Sequence, residues 1–445
     1  MKILKFGGTS VANSKNISKI LKIIAQSAAQ EKVAVVVSAL GGLTNLLLET
    51  ADLASNSDKK YLKNLIIINQ KHLDVVTDLI SGDRQQTVID EVNSILANLK
   101  ALLEGVYLIN ELSESSKDKI VSQGELLSSF IITEALKSKK LDAVRCNSQD
   151  IIVTDEEYGH ATVNFKITNN NIINYFENNT HQIVVLPGFV SKSNNGHQTT
   201  LGRGGSDFTA AIIAATLNVS VLEIWTDVSG MFSANPSLVK QAKPIAQISY
   251  QEAMELSHFG AKVIYPPTIH PVLRKNIPIL IKNTFAPNDK GTLITKSSPV
   301  NGYLAKGISH IDNIALLTLE GSGMVGVPSI AKRFLEGISN QKINVVLITQ
   351  ASSEHSICIG INQEDAVLAK KVVDEAFAFE ISRHRIKPTF VENNLAVVAV
   401  VGNKMKNHQG ISGKMFSTLG KNNVNIRAIA QGASERNISA VIAKS

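Results

Sequence analysis

The last third of the chain repeats itself. Ile314–Gly321 (IALLTLEG) and Leu395–Gly402 (LAVVAVVG) lie 81 positions apart, and the same offset aligns Ile343–Ile357 with Val424–Ile438 without a gap. The aligned pairs include the identities Asn344/Asn425, Ile348/Ile429, Gln350/Gln431, Ser353/Ser434, Glu354/Glu435 and Ile357/Ile438. Solenoid units have periods of roughly 20–50 residues, so a longer period makes each copy a small domain. Each copy reads strand, helix (329–340 and 410–422), strand, strand. The first copy adds a helix (364–379) and a strand (386–391), which gives β-α-β-β-α-β, the ferredoxin-like arrangement. The second copy reaches Ser445 without its last two elements. Either something else completes it or the chain is cut from a longer one.

Residues 1 to about 295 follow a different pattern. Lys2–Phe6 is a short strand ending in Gly7-Gly8, and Ile17, Ile20, Leu21 and Ile24 have the spacing of one helix face. Val33–Ser38 is a β-branched run of the kind buried on both faces of a parallel sheet. Further buried strands are expected at 183–186, 221–226 and 277–281, separated by helices at 207–217 and 250–263, with a long, mostly helical stretch over 59–141. Strands alternating with helices predict α/β architecture, a mostly parallel sheet between helices.

Two glycine-rich loops precede helices. In Lys5-Phe6-Gly7-Gly8-Thr9-Ser10 the glycines let backbone N–H groups approach an anion, and Lys5 could set a positive charge on a phosphoryl group. A plain strand-to-helix turn explains that loop equally well. In Gly202-Arg203-Gly204-Gly205-Ser206-Asp207 an arginine held between glycines suits bidentate anion binding, against the alternative of a loop with Ser206 or Asp207 as N-cap. Neither loop fits the dinucleotide or P-loop fingerprints, since Asp207 stands where the third glycine would be. Asp227, in Trp225-Thr226-Asp227-Val228-Ser229-Gly230, falls at a strand end, where α/β proteins place ligands; the alternative is an Asx-turn. Lys262 ends a helix, and Glu125 follows Gly124 as either a substrate partner or a first-turn helix acid. Together these loops suggest phosphoryl transfer by positioning and charge neutralisation.

Composition excludes several classes. The net charge of +7 is thinly spread, and aromatics are 5% of residues, so neither a basic tail nor a stacking platform for nucleic acid is present. No uncharged apolar run reaches the roughly 18 residues of a membrane span, and the first residues hold no apolar stretch long enough for a signal peptide. Two distant cysteines, Cys146 and Cys358, build no disulfide framework or zinc site. A protein of cytoplasmic type, with no nucleic-acid or membrane partner and no protein-held metal site, is the expectation.

KFGGTSV at 5–11, GRGGSD at 202–207, WTDVSG at 225–230 and SHFGAKVIYP at 257–266 together resemble aspartate kinase. Through LITQASSE (347–354) and AIAQGASE (428–435) the likeness runs to the kinase half of the bifunctional aspartate kinase–homoserine dehydrogenases. The resemblance implies an amino-acid-kinase catalytic domain over 1–295, a first ACT domain over 303–392 sharing a strand with the second, and a second ACT domain over 393–445. It implies phosphorylation of the L-aspartate side chain by ATP, with Mg²⁺ bound mainly through the ATP phosphates, at the first step towards lysine, threonine and methionine. Position by position, Lys5 would stabilise the transferring phosphoryl and Asp207 would orient Lys5. Gly7, Gly8 and Ser10 would line the phosphate loop. Ser38, Thr44, Glu125, Arg203 and Ser206 would hold aspartate, and Thr226, Asp227, Phe232 and Lys262 would contact ATP. Ile348, Gln350, Ile429 and Gln431 would bind an effector amino acid, and an apolar Val346 favours threonine over lysine. The ACT pair implies a homo-oligomer. Ser237 replaces an arginine that helps hold ATP phosphates in relatives, and Tyr265 replaces a common histidine. Another amino-acid kinase, of acetylglutamate or glutamate type, and a catalytically decayed amino-acid sensor are the competing readings.

Overall fold

The computed structural model describes residues 1–259, 263–297, 303–324, 326–327, 329–350, 355–432 and 434–444. In chain order the first strands are β1 (Lys2–Phe6), β2 (Val33–Val37), β3 (Ala143–Arg145), β4 (Val153–Thr154), β5 (Ile183–Pro187) and β6 (Val190–Ser193). They are followed by β7 (Gln198–Thr200), β8 (Leu222–Thr226), β9 (Gln247–Ser249), β10 (Ile279–Asn283) and β11 (Thr292–Thr295). The helices among them are α1 (Ser14–Ala28), α2 (Leu43–Ser55), α3 (Tyr61–Leu79), α4 (Asp83–Ile109), α5 (Glu114–Ser138), α6 (Phe165–Asn178), α7 (Gly205–Thr216), α8 (Tyr250–His258) and α9 (His270–Lys275).

An eight-stranded sheet runs β3-β5-β2-β1-β8-β10-β11-β9, parallel except where β10 meets β11. Its middle strands are mostly apolar: every residue of β2 is buried, as are Ile3, Leu4 and Phe6 of β1, and the buried Lys5 of β1 and Glu223 of β8 are charged exceptions. Strands covered on both faces need this composition, because neither face meets water. Alternation places Leu4 and Phe6 on one face with Val33, Val35 and Val37, in a cluster completed by apolar residues of α1 to α5. Ile3 and Lys5 lie on the other face, where α7 packs. The expected helical stretch 59–141 is three helices, and the breaks carry residues that tolerate left-handed backbone, Gly82 (φ 75°) and Asn110 (φ 53°). Among the described helices α4 is long and apolar enough to cross a membrane by composition alone. Its stripe of Val88, Val92, Leu96, Leu99, Leu103 and Val106 is instead buried in this cluster. A small sheet β4-β6-β7, not anticipated from the sequence, leads into the Gly202 loop.

Compactness divides the chain differently from sequence order. One unit comprises Met1–Met231, Pro244–Tyr250 and Lys262–Pro299; the other comprises Phe232–Lys243, Gln251–Ala261 and Val300–Ser445. The second unit holds β12 (Gly307–Glu320), α10 (Ser329–Asn340), β13 (Val345–Gln350), β14 (Ser356–Asn362), α11 (Ala366–Ala376) and α12 (Ala378–Ser382). It then continues through β15 (Phe390–Val401), α13 (Ile411–Lys421), β16 (Ile426–Ala430) and β17 (Asn437–Ala443).

Both repeats share one sheet, β13-β14-β12-β15-β17-β16. The strands expected at 386–391 and 395–402 are a single β15, and Gly307–Ile311 of β12 pairs antiparallel with Val397–Val401 of it. α10 falls where the sequence placed it and buries Ile330, Phe334 and Ile338, one face at helical spacing. Val346 and Leu347 of β13 share an apolar cluster with Ala428 of β16, so the outer strands approach each other. α8 is anchored in this unit: the Ser309 hydroxyl donates to the carbonyls of Leu256 and Phe259 at its C-terminal end (3.0 and 2.6 Å). The Asn403 N–H donates to Glu252 Oε1 at 2.8 Å. The Ile308 N–H donates to the Ser233 carbonyl, also at 2.8 Å, which binds the 232–243 segment to the same sheet.

Candidate active site

The chain proceeds from β1 to β2 on one side and reaches β8 on the other, so strand order reverses at β1. Ligands of open α/β sheets bind at the carboxyl ends of strands around such a reversal. The Gly7-Gly8 loop leaves β1 here, Ser38 follows β2, and Thr226-Asp227 closes β8. The Gly7 N–H donates to the Trp225 carbonyl (3.1 Å), and the Ser10 N–H to the Gly7 carbonyl (2.9 Å). The buried Ser10 hydroxyl bonds Thr284 Oγ1 at 2.7 Å and the Trp225 carbonyl at 3.2 Å, so it braces the loop from beneath. The Gly8 and Thr9 N–H groups have no partner among the described residues, which leaves two donors for an anion.

Lys5 is 8% exposed, and its Nζ lies 2.6 Å from Oδ1 of Asp207, in the first turn of α7. A Cβ on Gly7 would lie 3.6 Å from that Nζ, so the loop backbone passes directly over the ammonium. Close approach of α7 depends on glycine elsewhere too: a Cβ on Gly188, just past β5, would fall 2.6 Å from Cβ of Ser206. Gly204 caps α7 with φ 72°, and Gly202 before it has φ 70°.

Glu125 lies in the middle of α5, 4% exposed, with no partner for its Oε2. Burial pushes its carboxyl up to about 8, against the opposing pull of the Ala39 N–H and the Lys5 charge. Gly124 beside it makes room, since a Cβ there would meet Ala39 Cβ at 2.7 Å. A buried carboxyl with a free oxygen suits an incoming ammonium, which would return it to its ionised form.

Sequence reasoning missed Asp118, two turns before Glu125 on α5. Its carboxylate accepts the Gly159 N–H (3.1 and 3.0 Å), the Thr200 N–H (2.9 Å) and the Thr200 hydroxyl (2.8 Å). It therefore ties the helix carrying Glu125 to the strand that feeds Arg203. Burial pushes its pKa up, opposed by those hydrogen bonds. No short motif marks this role, because the partners are 41 and 82 positions away.

The remaining expected residues divide as follows. Ser38 is half-buried, with its carbonyl accepting the Ser128 hydroxyl at 2.7 Å, and Thr44 is half-buried in the first turn of α2. Ser206 is buried in the first turn of α7, and Arg203 is exposed before it. Thr226 donates to Asp227 Oδ1 at 3.2 Å. Phe232 belongs to the second unit, and Lys262 lies outside the described residues. Ile348 and Gln350 are exposed on β13, Ile429 is exposed on β16, and Gln431 just beyond it. Asn235 accepts the Ser237 N–H and hydroxyl (3.0 and 2.7 Å), a local turn at the positions that depart from relatives.

A model described as "Amino acid kinase family" matches residues 1–283, and one described as "ACT domain" matches 317–377 and 398–445. Lysine-sensitive aspartokinase 3 of Escherichia coli is 30% identical over 439 residues, which cover 98% of this chain and 94% of that protein. The chain belongs to the aspartokinase family. A solved structure of E. coli aspartokinase III in complex with aspartate and ADP superposes on this aspartokinase-family chain with a TM-score of 0.84 at 29% identity, covering 100% and 96% of the two chains. A bifunctional aspartokinase/homoserine dehydrogenase 1 of Arabidopsis thaliana is 35% identical over 444 residues, 98% of this chain but 49% of that protein. The chain thus spans about half the length of its bifunctional relatives.

For this family member, the raised Glu125 pKa has a consequence for stability. The folded state holds a proton that the unfolded chain releases above the ordinary glutamate pKa of 4.5, so stability falls as pH rises from there through about 8. Glu125→Gln should melt higher than wild type by a margin that widens between pH 5 and pH 8; a margin constant with pH refutes a protonated Glu125. Asp118→Ala should lower urea-unfolding stability by about 2–4 kcal/mol, because it orphans the buried Thr200 N–H and hydroxyl and the half-buried Gly159 N–H.

Proposed function

We propose that this chain phosphorylates the side-chain carboxylate of L-aspartate with ATP, giving 4-phospho-L-aspartate and ADP, the first step towards lysine, threonine and methionine. The observation that carries the proposal is the Lys5–Asp207 pair beneath a loop with free N–H groups. It is flanked by side chains suited to both ends of an acidic amino acid. A buried Glu125 whose Oε2 has no partner suits an ammonium, and an unpaired Arg203 suits a carboxylate. The E. coli homologue solved in complex with aspartate and ADP supports the same substrates here.

In the reaction an ionised side-chain oxygen of aspartate attacks the γ-phosphorus, and the bond to the β-phosphate oxygen breaks with its electron pair leaving on ADP. No base is required, since the attacking carboxylate carries no proton. Lys5 neutralises charge on the phosphoryl oxygens, Asp207 fixes where its ammonium stands, and Gly7, Gly8 and Ser10 shape the loop that receives the phosphates. Ser38, Thr44 and Ser206 join Glu125 and Arg203 on aspartate; Thr226, Asp227, Phe232 and Lys262 serve the nucleotide. Mg²⁺ would be held mainly by the ATP phosphates, where it would neutralise charge on them. The catalytic domain spans 1–295, the ACT domains span 303–392 and 393–445, and the chain works as a cytoplasmic homo-oligomer.

For the effector we propose threonine, bound through Ile348, Gln350, Ile429 and Gln431. Val346 is buried in an apolar cluster and offers no charge to a lysine ammonium. Lysine is the second reading, since the E. coli relative is described as lysine-sensitive.

Hydroxylamine trapping of acyl phosphate, with aspartate, ATP and Mg²⁺, tests the reaction. Lys5→Gln, which removes the charge and keeps a polar side chain, should cut the rate about 10²- to 10³-fold; an unchanged rate sinks the role given to Lys5. Threonine should reduce product while lysine does not, and Gln350→Ala should require severalfold more threonine without altering the uninhibited rate. Inhibition by lysine alone would overturn the effector assignment.

A further inference from the structure

Arg203 stands between two glycines in left-handed backbone, exposed, with no hydrogen bond or ion pair to its guanidinium among the described residues. What it does have is an aromatic platform: its Cζ lies 5.5 Å from the ring centroid of Tyr265. We infer that Tyr265 is a positioning residue for substrate, its ring face holding the Arg203 guanidinium so that the N–H edge is presented to a carboxylate. The inference rests on the proposed role of Arg203.

The geometry suits that task better than an ion pair would. A guanidinium's donors point outward in its own plane, while an aromatic ring attracts it through the face. Stacking therefore restrains the long side chain and consumes none of the donors needed for a bidentate contact. An acidic partner would compete with the substrate for the same edge. Restraint in advance also reduces the side-chain rotamer entropy that Arg203 loses on binding.

Tyr265 is itself well held. Its carbonyl accepts the Thr268 N–H at 3.0 Å and the Thr268 hydroxyl at 2.7 Å, closing the short turn Pro266–Ile269. The loop packs so closely here that a Cβ on Gly204 would lie 2.8 Å from Tyr265 Cδ1 and 2.9 Å from Thr268 Cγ2. The glycine after Arg203 thus admits the ring that supports Arg203. The phenol oxygen has no hydrogen-bond partner among the described residues, so the ring alone should suffice.

The test is steady-state kinetics on the full chain, with aspartate and ATP varied in turn, for Tyr265→Leu, Tyr265→Phe, Arg203→Ala and Arg203→Ala/Tyr265→Leu. Tyr265→Leu keeps apolar bulk and loses the π face; it should raise KM for aspartate about two- to fivefold, the range of an exposed cation–π contact. KM for ATP and kcat should stay within about twofold. Tyr265→Phe should restore the wild-type KM for aspartate, and the double variant should be no worse than Arg203→Ala. If Arg203→Ala raises KM for aspartate while Tyr265→Leu leaves it unchanged, the platform is refuted and the role of Arg203 stands. If Tyr265→Leu and Tyr265→Phe disturb aspartate, ATP and kcat together, Tyr265 is only a packing residue and the inference fails. If Arg203→Ala does not affect KM for aspartate, the role of Arg203 fails and the platform with it.

Discussion

A lysine set among apolar residues near the carboxyl end of a buried parallel strand has to be neutralised where it stands. Removing an unpaired ammonium from water costs several kcal/mol or more, and such a group would otherwise lose its proton. Lys5 is neutralised by Asp207, and that pairing dictates much else. Asp207 must project from the first turn of α7, so the N-terminus of that helix must press onto β1. This in turn demands glycine at 188, against Ser206, and at 204 and 205, where Tyr265, Thr268 and Phe189 crowd the loop. The loop after β1 needs Gly7 to pass over the ammonium. Several of the glycines in the two motifs are thus consequences of one buried charge, and they leave that charge accessible from the strand ends.

The same logic applies to Glu125. Its carboxyl is buried close enough to Lys5 to feel its charge, yet burial dominates and holds the proton on. With the Glu125 carboxyl protonated and Lys5 paired to Asp207, the charge left without a partner among these residues is that of the exposed Arg203.

Much of the fold could be read in the chain. Continuous apolar runs such as Val33–Val37 identify central strands, because burial on both faces removes any need for alternation. The 81-residue offset exposed the two regulatory repeats, and 329–340 showed its helix through Ile330, Phe334 and Ile338. What could not be read depends on tertiary pairing. Asp118 reaches Thr200 across 82 positions, and nothing in either neighbourhood announces it. Residues 386–402 look like two strands because Asn393-Asn394 interrupts the apolar pattern, whereas β15 passes through them with Asn394 at φ 59° and a shift in register against β12. The Lys5–Asp207 pair itself follows from the family resemblance rather than from spacing. Both residues were visible in their motifs, but their 2.6 Å contact required the sheet to bring together the ends of β1 and α7.

The division of the chain into two units has an evolutionary corollary. The covalent chain passes from one unit to the other at 231/232, 243/244, 250/251, 261/262 and 299/300. Within the second unit, α8 is capped by Ser309 and bonded by Asn403, and the Ser233 carbonyl is taken by Ile308. A recombination event that exchanged only the sequence after residue 300 would deliver a sheet without the helix and strap it was shaped to hold. In this chain the sheet is therefore not bounded by residue 300: Phe232–Lys243 and Gln251–Ala261 belong to the same compact unit and would have to travel with it.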